Sequence, residues 1–163
     1  MTIKPLAYTP HNHQICINQA LQQAEQYCVE HRIRLTSLRR RIFAMIWQSH
    51  KPLGAYEILN RLMKEDGRNA APPTVYRTLD FLLENNLIHR IALLNAFIGC
   101  SHPGNYHQGY FLICSKCGNV LELKQTTVNQ TIEKLAKQKG FLIKQQTVEV
   151  KGLCNYCQEH TNE

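Results

Sequence analysis

The sequence predicts an α+β protein of two small domains, and two observations support this. Residues 18–101 hold four segments with apolar residues at helical spacing, followed by two short apolar runs. Residues 102–163 hold short strands around one amphipathic helix, together with two C-x-x-C pairs. Residues 1–17 are polar and are predicted to form a flexible arm. With 44% hydrophobic residues among 163, the chain can bury a core, although two domains of this size would each be marginal.

Four helices are predicted in the first domain before any strand. The first helix has an apolar stripe over about 18–31, and the third has one over about 55–64. The second helix also has an apolar stripe and begins after a cap at Thr36 or Ser37. The fourth begins at "PPTVYR", where a proline suits the first helical position, and ends at two asparagines. The stretch "LIHRIALLNAFIGC" then predicts two strands that turn near Asn95. This order is that of a winged helix, in which a helix-turn-helix pair precedes a β-wing.

The fourth helix has a face that is suited to contact nucleic acid. Val75, Leu79 and Leu82 cluster on one side at helical spacing, and Arg77 points nearly the opposite way. In a helix-turn-helix, the second helix enters the major groove, where Arg can bond guanine and a Tyr ring can touch a thymine methyl. An ordinary solvated helix face is the alternative for each residue taken singly. The predicted DNA-binding residues are Thr74, Tyr76, Arg77 and, from a basic run near the second helix, Arg39.

The charge balance favours an anionic partner. The net charge is +7 and the isoelectric point is about 9.1. Most of the excess lies in residues 1–92, which hold twelve Lys and Arg against seven Asp and Glu. Charge alone does not distinguish a DNA-binding protein from a mildly basic one. The chain shows no secretory signal and no apolar run of membrane-spanning length, so we expect a cytoplasmic protein whose thiols are kept reduced.

The second domain is predicted to begin with strands at "YFLIC" and "VLEL". An amphipathic helix follows at "TTVNQTIEKLAKQKG", where Gly140 suits the C-cap. A further strand is predicted over "FLIKQQTVEVKG", and the chain closes with "CNYC" and a polar tail. This order predicts a small α/β domain.

The two C-x-x-C pairs, Cys114/Cys117 and Cys154/Cys157, predict a structural zinc site. Four thiolates suit the tetrahedral preference of zinc, and two intervening residues let one tight turn offer both sulfurs. The pairs are 37 residues apart, so a strand–helix–strand insert must bring them together. The alternatives are buried cysteines or a redox couple, but two pairs in one small reduced domain favour metal.

Further residues of ligand type lie in the region from the hairpin to the strand that follows the first C-x-x-C pair. They are His89, Cys100, His102, His107 and Glu122. Four of them could make a second tetrahedral site drawn from both domains. Singly, each is also compatible with a surface histidine, a buried cysteine or a solvent-facing acid.

At this point the residues resemble the ferric uptake regulator family of metal-sensing bacterial repressors. The segments "RLTSLRRRIFAMI" and "PPTVYRTLDFLLENNLIHRI" resemble the family's second helix and its recognition helix with the start of the wing. "FLICSKCGNVLEL" and "GLCNYC" resemble the two halves of its structural zinc site. The resemblance covers about residues 18–158.

Within the family, the chain is most similar to the zinc uptake regulators. The iron-sensing branch carries an "HHDH" run before the first C-x-x-C, whereas this chain has "NYHQGYFLIC". The resemblance implies a regulatory zinc site of His89, Cys100, His107 and Glu122, with His102 close enough to compete with His107. A thiolate ligand also favours zinc over iron.

The resemblance further implies a homodimer that pairs through the second domain and binds a palindromic DNA operator. Two zinc ions per chain are expected, one structural and one regulatory, and the filled regulatory site would repress genes for zinc uptake. The alternatives are a repressor of the same family that senses iron, manganese or peroxide, or a thiol or zinc enzyme. An enzyme is disfavoured because the second site offers four protein ligands and no open position for water. No role is predicted for His11, His13 or His160.

Overall fold

The computed structural model describes residues 6–8, 11–67, 71–104, 107, 109–123 and 126–160. The first domain consists of helices α1 (His13–Glu30), α2 (Ser37–Ile46), α3 (Ala55–Asp66) and α4 (Pro72–Glu84), then strands β1 (Ile88–Ile91) and β2 (Ala96–Gly99). The second domain consists of β3 (Gly109–Cys114), β4 (Val120–Glu122), α5 (Thr126–Gln138), β5 (Thr147–Gly152) and α6 (Asn155–Glu159). The predicted α+β class and the order of a winged helix are confirmed.

The first domain is a helical core closed by a hairpin. The stripe predicted on α4 is buried, with Val75, Leu79 and Leu82 all at 1% exposure or less. It packs with α1, α2 and α3 in one apolar cluster, and removing such side chains from water is worth roughly 1.5–3 kcal/mol each. Strands β1 and β2 pair in an antiparallel register, and Asn95 makes the turn with a positive φ of 47°. The hairpin thereby extends from the end of α4 as the wing.

The second domain is a three-stranded sheet in the order β4-β3-β5. β3 pairs with β4 in an antiparallel register and with β5 in a parallel one. A parallel neighbour needs a crossover connection, and α5 supplies it. The parallel register places Cys114 opposite Gly152, two residues before Cys154. Sheet topology therefore brings together the two C-x-x-C pairs that the sequence separates.

The N-terminal segment differs from the predicted flexible arm. α1 begins at His13, where Asn12 caps its first turn, so residues 13–17 are helical. Residues 6–8 form a turn of 3-10 helix that packs on the second domain. The Tyr8 hydroxyl donates to the Leu112 carbonyl at 2.8 Å, and the Asn119 amide donates to the Ala7 carbonyl at 2.7 Å. Contacts to distant residues, which composition does not show, hold Ala7 and Tyr8 in place, and residues 1–5, 9 and 10 of the predicted arm lie outside the described residues.

Two further predictions about the second domain need correction. The strand predicted over 141–152 begins only at Thr147, because that residue pairs with Gly109, the first residue of β3. The residues before it, Phe141 and Leu142, are 68% and 79% exposed and belong to no strand. The polar C-terminal stretch contains α6, a short helix that was not predicted. Within the described ranges, no helix is long and apolar enough to cross a membrane.

Candidate metal centres and nucleic-acid interface

The first cluster brings together the four cysteines of the C-x-x-C pairs. Cys114 ends β3, Cys117 lies in the following turn, Cys154 caps α6, and Cys157 lies within α6. Their sulfur atoms all lie within 4.8 Å of one another, and the Cys117 and Cys154 sulfurs are 3.9 Å apart. Gly118, at a φ of 76°, reverses the chain after the first pair, as a backbone turn around two sulfurs requires.

The electrostatics of this cluster suit a bound cation. Burial opposes ionisation of Cys114, but backbone N–H groups of Cys117, Cys154 and Lys116 outweigh it and lower the pKa of that thiol to about 6. Burial and the neighbouring thiols raise the pKa of Cys157 to about 12. Four adjacent thiols therefore do not ionise together unless a cation compensates their charge. A tetrahedral set of four sulfurs fits Zn²⁺.

The second cluster is drawn from both domains. His89 lies on β1, Cys100 follows β2, His107 precedes β3, and Glu122 ends β4. Their ligand atoms also lie within 4.8 Å of one another. The Glu122 Oε1 atom is 2.5 Å from Nε2 of His107 and 2.9 Å from Nε2 of His89. The Cys100 sulfur is 3.6 Å from the same atom of His107.

Glu122 is the electrostatic centre of the second cluster. Burial opposes its ionisation, but hydrogen bonds and charge from His89, with hydrogen bonds from Ser101, hold the pKa of this carboxyl well below its usual range. Burial, together with the Glu122 carboxylate, raises the pKa of the Cys100 thiol to about 12. A cation between them would reverse that effect on Cys100. Two imidazoles, one sulfur and one carboxylate oxygen fit a four-coordinate Zn²⁺.

The structure brings His107, rather than His102, into this cluster. The two rings are 6.0 Å apart between centroids, and Nδ1 of His102 lies 3.1 Å from the Ser101 hydroxyl. His102 is thus adjacent to the cluster without belonging to it. The geometry therefore favours His107 over His102 as a member of the cluster that the resemblance implies.

Ser101 completes the second cluster and was not foreseen from the sequence. Its backbone N–H donates to Glu122 Oε2 at 3.0 Å, and its hydroxyl donates to the same oxygen at 2.5 Å. These bonds occupy one carboxylate oxygen and leave Oε1 directed at the two imidazoles. Outer hydrogen bonds of this kind fix ligand orientation in metal sites. A serine next to a cysteine carries no motif, so only the fold could reveal the contact.

A second acid, Glu149 on β5, also joins the domains. Its Oε1 accepts from the Ala92 N–H at 2.7 Å, and its Oε2 accepts from the Leu93 N–H at 2.8 Å. Both donors lie in the short 3-10 turn between the strands of the wing. The wing is therefore held to the second domain by a contact that needs no metal.

The exposed face of α4 presents most of the predicted DNA-binding residues. Thr74 and Arg77 are exposed, and Tyr76 is 47% exposed, while the buried stripe points to the core. Pro72 and Pro73 open the helix, so these side chains lie in its first two turns. This is the part of a recognition helix that meets base edges.

Arg39, the fourth predicted DNA-binding residue, is less available for contact with DNA than the exposed face of α4. Its guanidinium lies 3.5 Å above the Phe81 ring and donates to the Arg34 carbonyl at 2.6 Å. Two neighbours in the basic run are paired with acids, Arg40 with Glu25 and Arg41 with both Glu65 and Asp66. Part of the positive charge that the sequence shows near α2 is thus already compensated within the domain.

The chain combines a winged helix with a second domain that holds a four-cysteine cluster. The second cluster, mixed in its ligand types, lies where the two domains meet. This combination defines a narrow class of protein. Residues 30–151 match the ferric uptake regulator family. The chain belongs to this family, whose members are transcription regulators and not enzymes.

The relatives include zinc uptake regulators. The chain is 34% identical over 142 residues to the zinc uptake regulation protein of Escherichia coli K12, covering 86% of this chain and 82% of that protein. A solved zinc uptake regulator in complex with zinc and DNA superposes with a TM-score of 0.83 at 32% identity, covering 89% of this chain and 97% of that chain. Holo XcZur superposes with a TM-score of 0.79 at 40% identity, covering 87% and 99%.

Proposed function

We propose that this protein is a zinc-responsive repressor of zinc-uptake genes in the cytoplasm. The observation that carries the proposal is the second cluster, because its four ligand atoms come from both domains and include a thiol. A site of this kind can make the arrangement of the domains depend on a metal ion. Similarity to zinc uptake regulators over most of the chain supports zinc as that ion.

Two zinc ions per chain are proposed, with different duties. Cys114, Cys117, Cys154 and Cys157 hold a structural ion, since all four lie within the second domain at one end of its sheet. His89, Cys100, His107 and Glu122 hold the regulatory ion. His89 and Cys100 come from the wing and Glu122 from β4, so these ligands can converge only when the domains are correctly placed.

The regulatory ligands act by restraining the wing against the second sheet. Ser101 holds the Oε2 atom of Glu122 and so orients the carboxylate. His89 from the first domain and His107 from the second both approach the other oxygen, Oε1. A bound Zn²⁺ supplies the positive charge that lets Cys100 ionise and join them. The present domain arrangement resembles holo XcZur, with a TM-score of 0.79, more than apo XcZur, with 0.51. This difference supports a metal-dependent shift between two domain arrangements.

DNA is read by α4 in this proposal. Thr74, Tyr76 and Arg77 enter the major groove, and Arg39 makes at most a backbone contact because it is held on Phe81. The domains divide at residues 101 and 102, with DNA binding in the first and dimerisation in the second. A dimer would present two recognition helices to a palindromic operator.

The second domain has an apolar surface that supports a homodimer. The residues involved are more than a third exposed and lie on α5, on the segment after it and on the edge strand β5; they are Val128, Leu135, Phe141, Leu142 and Val150. Exposed apolar residues on and near the edge strand of a sheet are typical of a domain that another chain covers.

The experiment is a DNA-binding titration at buffered free zinc, run beside iron and manganese, with bound metal counted per chain. Operator binding should rise only with zinc, and only when the regulatory ion is bound in addition to the structural one. Activation by iron or manganese at matched free concentrations would contradict the assignment.

A peroxide or iron sensor of the same family is the remaining candidate. The chain is 27% identical over 128 residues to the peroxide-responsive repressor PerR of Staphylococcus aureus, covering 78% of this chain. The thiol of Cys100 in the second cluster favours zinc instead, because nitrogen and oxygen ligands suit iron better.

A further inference from the structure

A third cluster of ligand-type side chains lies outside the two sites described above. Its members are three histidines and one cysteine, His11, His13, Cys16 and His50. One ligand atom from each lies within 4.8 Å of all the others. Nε2 of His11 is 3.3 Å from the Cys16 sulfur and 3.2 Å from Nε2 of His50. The three imidazole rings are 4.2 to 4.9 Å apart between centroids.

Separate parts of the chain supply these groups. His11 precedes α1, while His13 and Cys16 lie in its first turn, one helical step apart. His50 lies 39 residues after His11, in the loop after α2. Helical spacing alone therefore does not assemble the set, and the packing of α1 against α2 is needed.

One buried nitrogen of the cluster, Nδ1 of His13, lacks a hydrogen-bond partner among the described residues. Burial and the neighbouring histidines lower the pKa of His50 to about 4, and burial with His11 lowers that of His13. A buried polar atom without a partner destabilises the folded chain, and a bound cation would supply the missing partner.

We propose that His11, His13, Cys16 and His50 form a third metal site, which binds a Zn²⁺-class cation. Three imidazole nitrogens and one sulfur make a four-coordinate set of borderline softness, as Zn²⁺ prefers. The site is distinct from the other two, since it shares no ligand with them.

The site would tie the start of α1 to the junction of the domains. The His50 carbonyl accepts from the Val120 N–H at 2.9 Å, and Val120 opens β4, the strand that ends in Glu122. One cleft is lined by Cys16 and His50 of the third cluster and by Glu122 of the second. Metal at the third site would therefore fix the N-terminal segment beside the strand that carries the regulatory carboxylate.

The test counts metal in a chain whose regulatory site has been disabled. In a Cys100→Ser background, His50→Asn and Cys16→Ser are each compared with His31→Asn, a histidine change on the turn after α1 and outside all three clusters. Each protein is loaded with Zn²⁺ and equilibrated with a chromophoric chelator, and bound zinc is measured by mass spectrometry. Circular dichroism confirms that each variant is folded.

We expect His50→Asn and Cys16→Ser each to bind one zinc ion fewer than the His31→Asn control. Substitution of Co²⁺ should show the same loss in the visible spectrum, with a weaker sulfur charge-transfer band for Cys16→Ser. Equal zinc counts in all three proteins would overturn the third site. That result would leave the two-site proposal intact. The regulatory site is disabled in every protein compared, so differences in zinc count among them do not report on it. If His50→Asn folds poorly, the Cys16→Ser count decides in the same way.

Discussion

The two clusters used in the proposed function differ in how they are built. The four-cysteine cluster uses one type of ligand from one domain, at the end of a single sheet. The mixed cluster uses three types of ligand from two domains, with a carboxylate at its centre. The first arrangement can stabilise a domain whatever the other domain does. The second can form only when both are in place, so it is suited to sensing.

The largest effect is expected from Cys117→Ser. Loss of one thiolate should release the structural zinc, and metal coupling at such sites is worth about 10–16 kcal/mol in apparent terms. We expect the second domain to unfold and the dimer to dissociate, measured by zinc content and analytical ultracentrifugation. Cys28→Ala is the matched control, since Cys28 is a buried thiol in the first domain and outside every cluster. A dimeric Cys117→Ser protein with its full zinc content would remove the structural role.

Cys100→Ser should separate the two clusters. The fold and the tightly bound zinc should persist, while zinc-dependent operator binding should fall by at least about tenfold, within the usual range of allosteric coupling. The measurements are bound zinc after mild chelation and operator affinity with and without free zinc. An unchanged zinc response would place the sensor elsewhere.

Arg77→Ala should weaken DNA binding without altering either metal cluster. If Arg77 contacts a base, the loss should be about 1–3 kcal/mol on the operator and smaller on random DNA. Arg39→Ala is the comparison, and we expect a smaller loss because its guanidinium is held on Phe81. Affinities measured on both DNAs at two salt concentrations decide the matter. Equal losses on operator and random DNA would reassign Arg77 to a phosphate contact.

The smallest effect is expected from Glu149→Ala. This carboxylate holds the wing through two backbone N–H groups, and its removal should cost about 1 kcal/mol of unfolding free energy in the zinc-loaded protein. Denaturant unfolding measures the loss, with Glu84→Ala, an exposed acid at the end of α4, as the control. Operator binding should also require more free zinc, since the regulatory ligands alone then position the wing. An unchanged zinc requirement would show that this second bridge between the domains is passive.

Local patterns in the sequence predicted much of this molecule. The α4 stripe, the hairpin turn at Asn95 and the C-x-x-C pairs each depend on residues a few positions apart, so periodicity and spacing reveal them. The mixed cluster is different, because spacing indicated ligand types but not their convergence. A resemblance to the family was needed to select His107, and the structure then placed it beside Glu122.

Contacts between distant residues could not be predicted. The bond from Tyr8 to Leu112 and the hydrogen bonds of Ser101 and Glu149 join residues that no motif relates. His50 is likewise remote in sequence from His11, so the third cluster was invisible as a pattern. Each of these contacts depends on how α1, α2 and the two sheets pack.

The parallel pairing of β3 with β5 has a consequence for synthesis of the chain. Cys114 and Cys117 leave the ribosome well before Cys154 and Cys157, and the four sulfurs meet only after β5 has docked beside β3. The first domain, whose last strand ends at Gly99, can fold earlier because most of its contacts are between nearby helices. A nascent chain therefore exposes two of the four cysteine ligands, Cys114 and Cys117, next to a first domain that has already folded. Zinc supply during translation should accordingly limit the yield of the second domain while leaving that of the first unchanged.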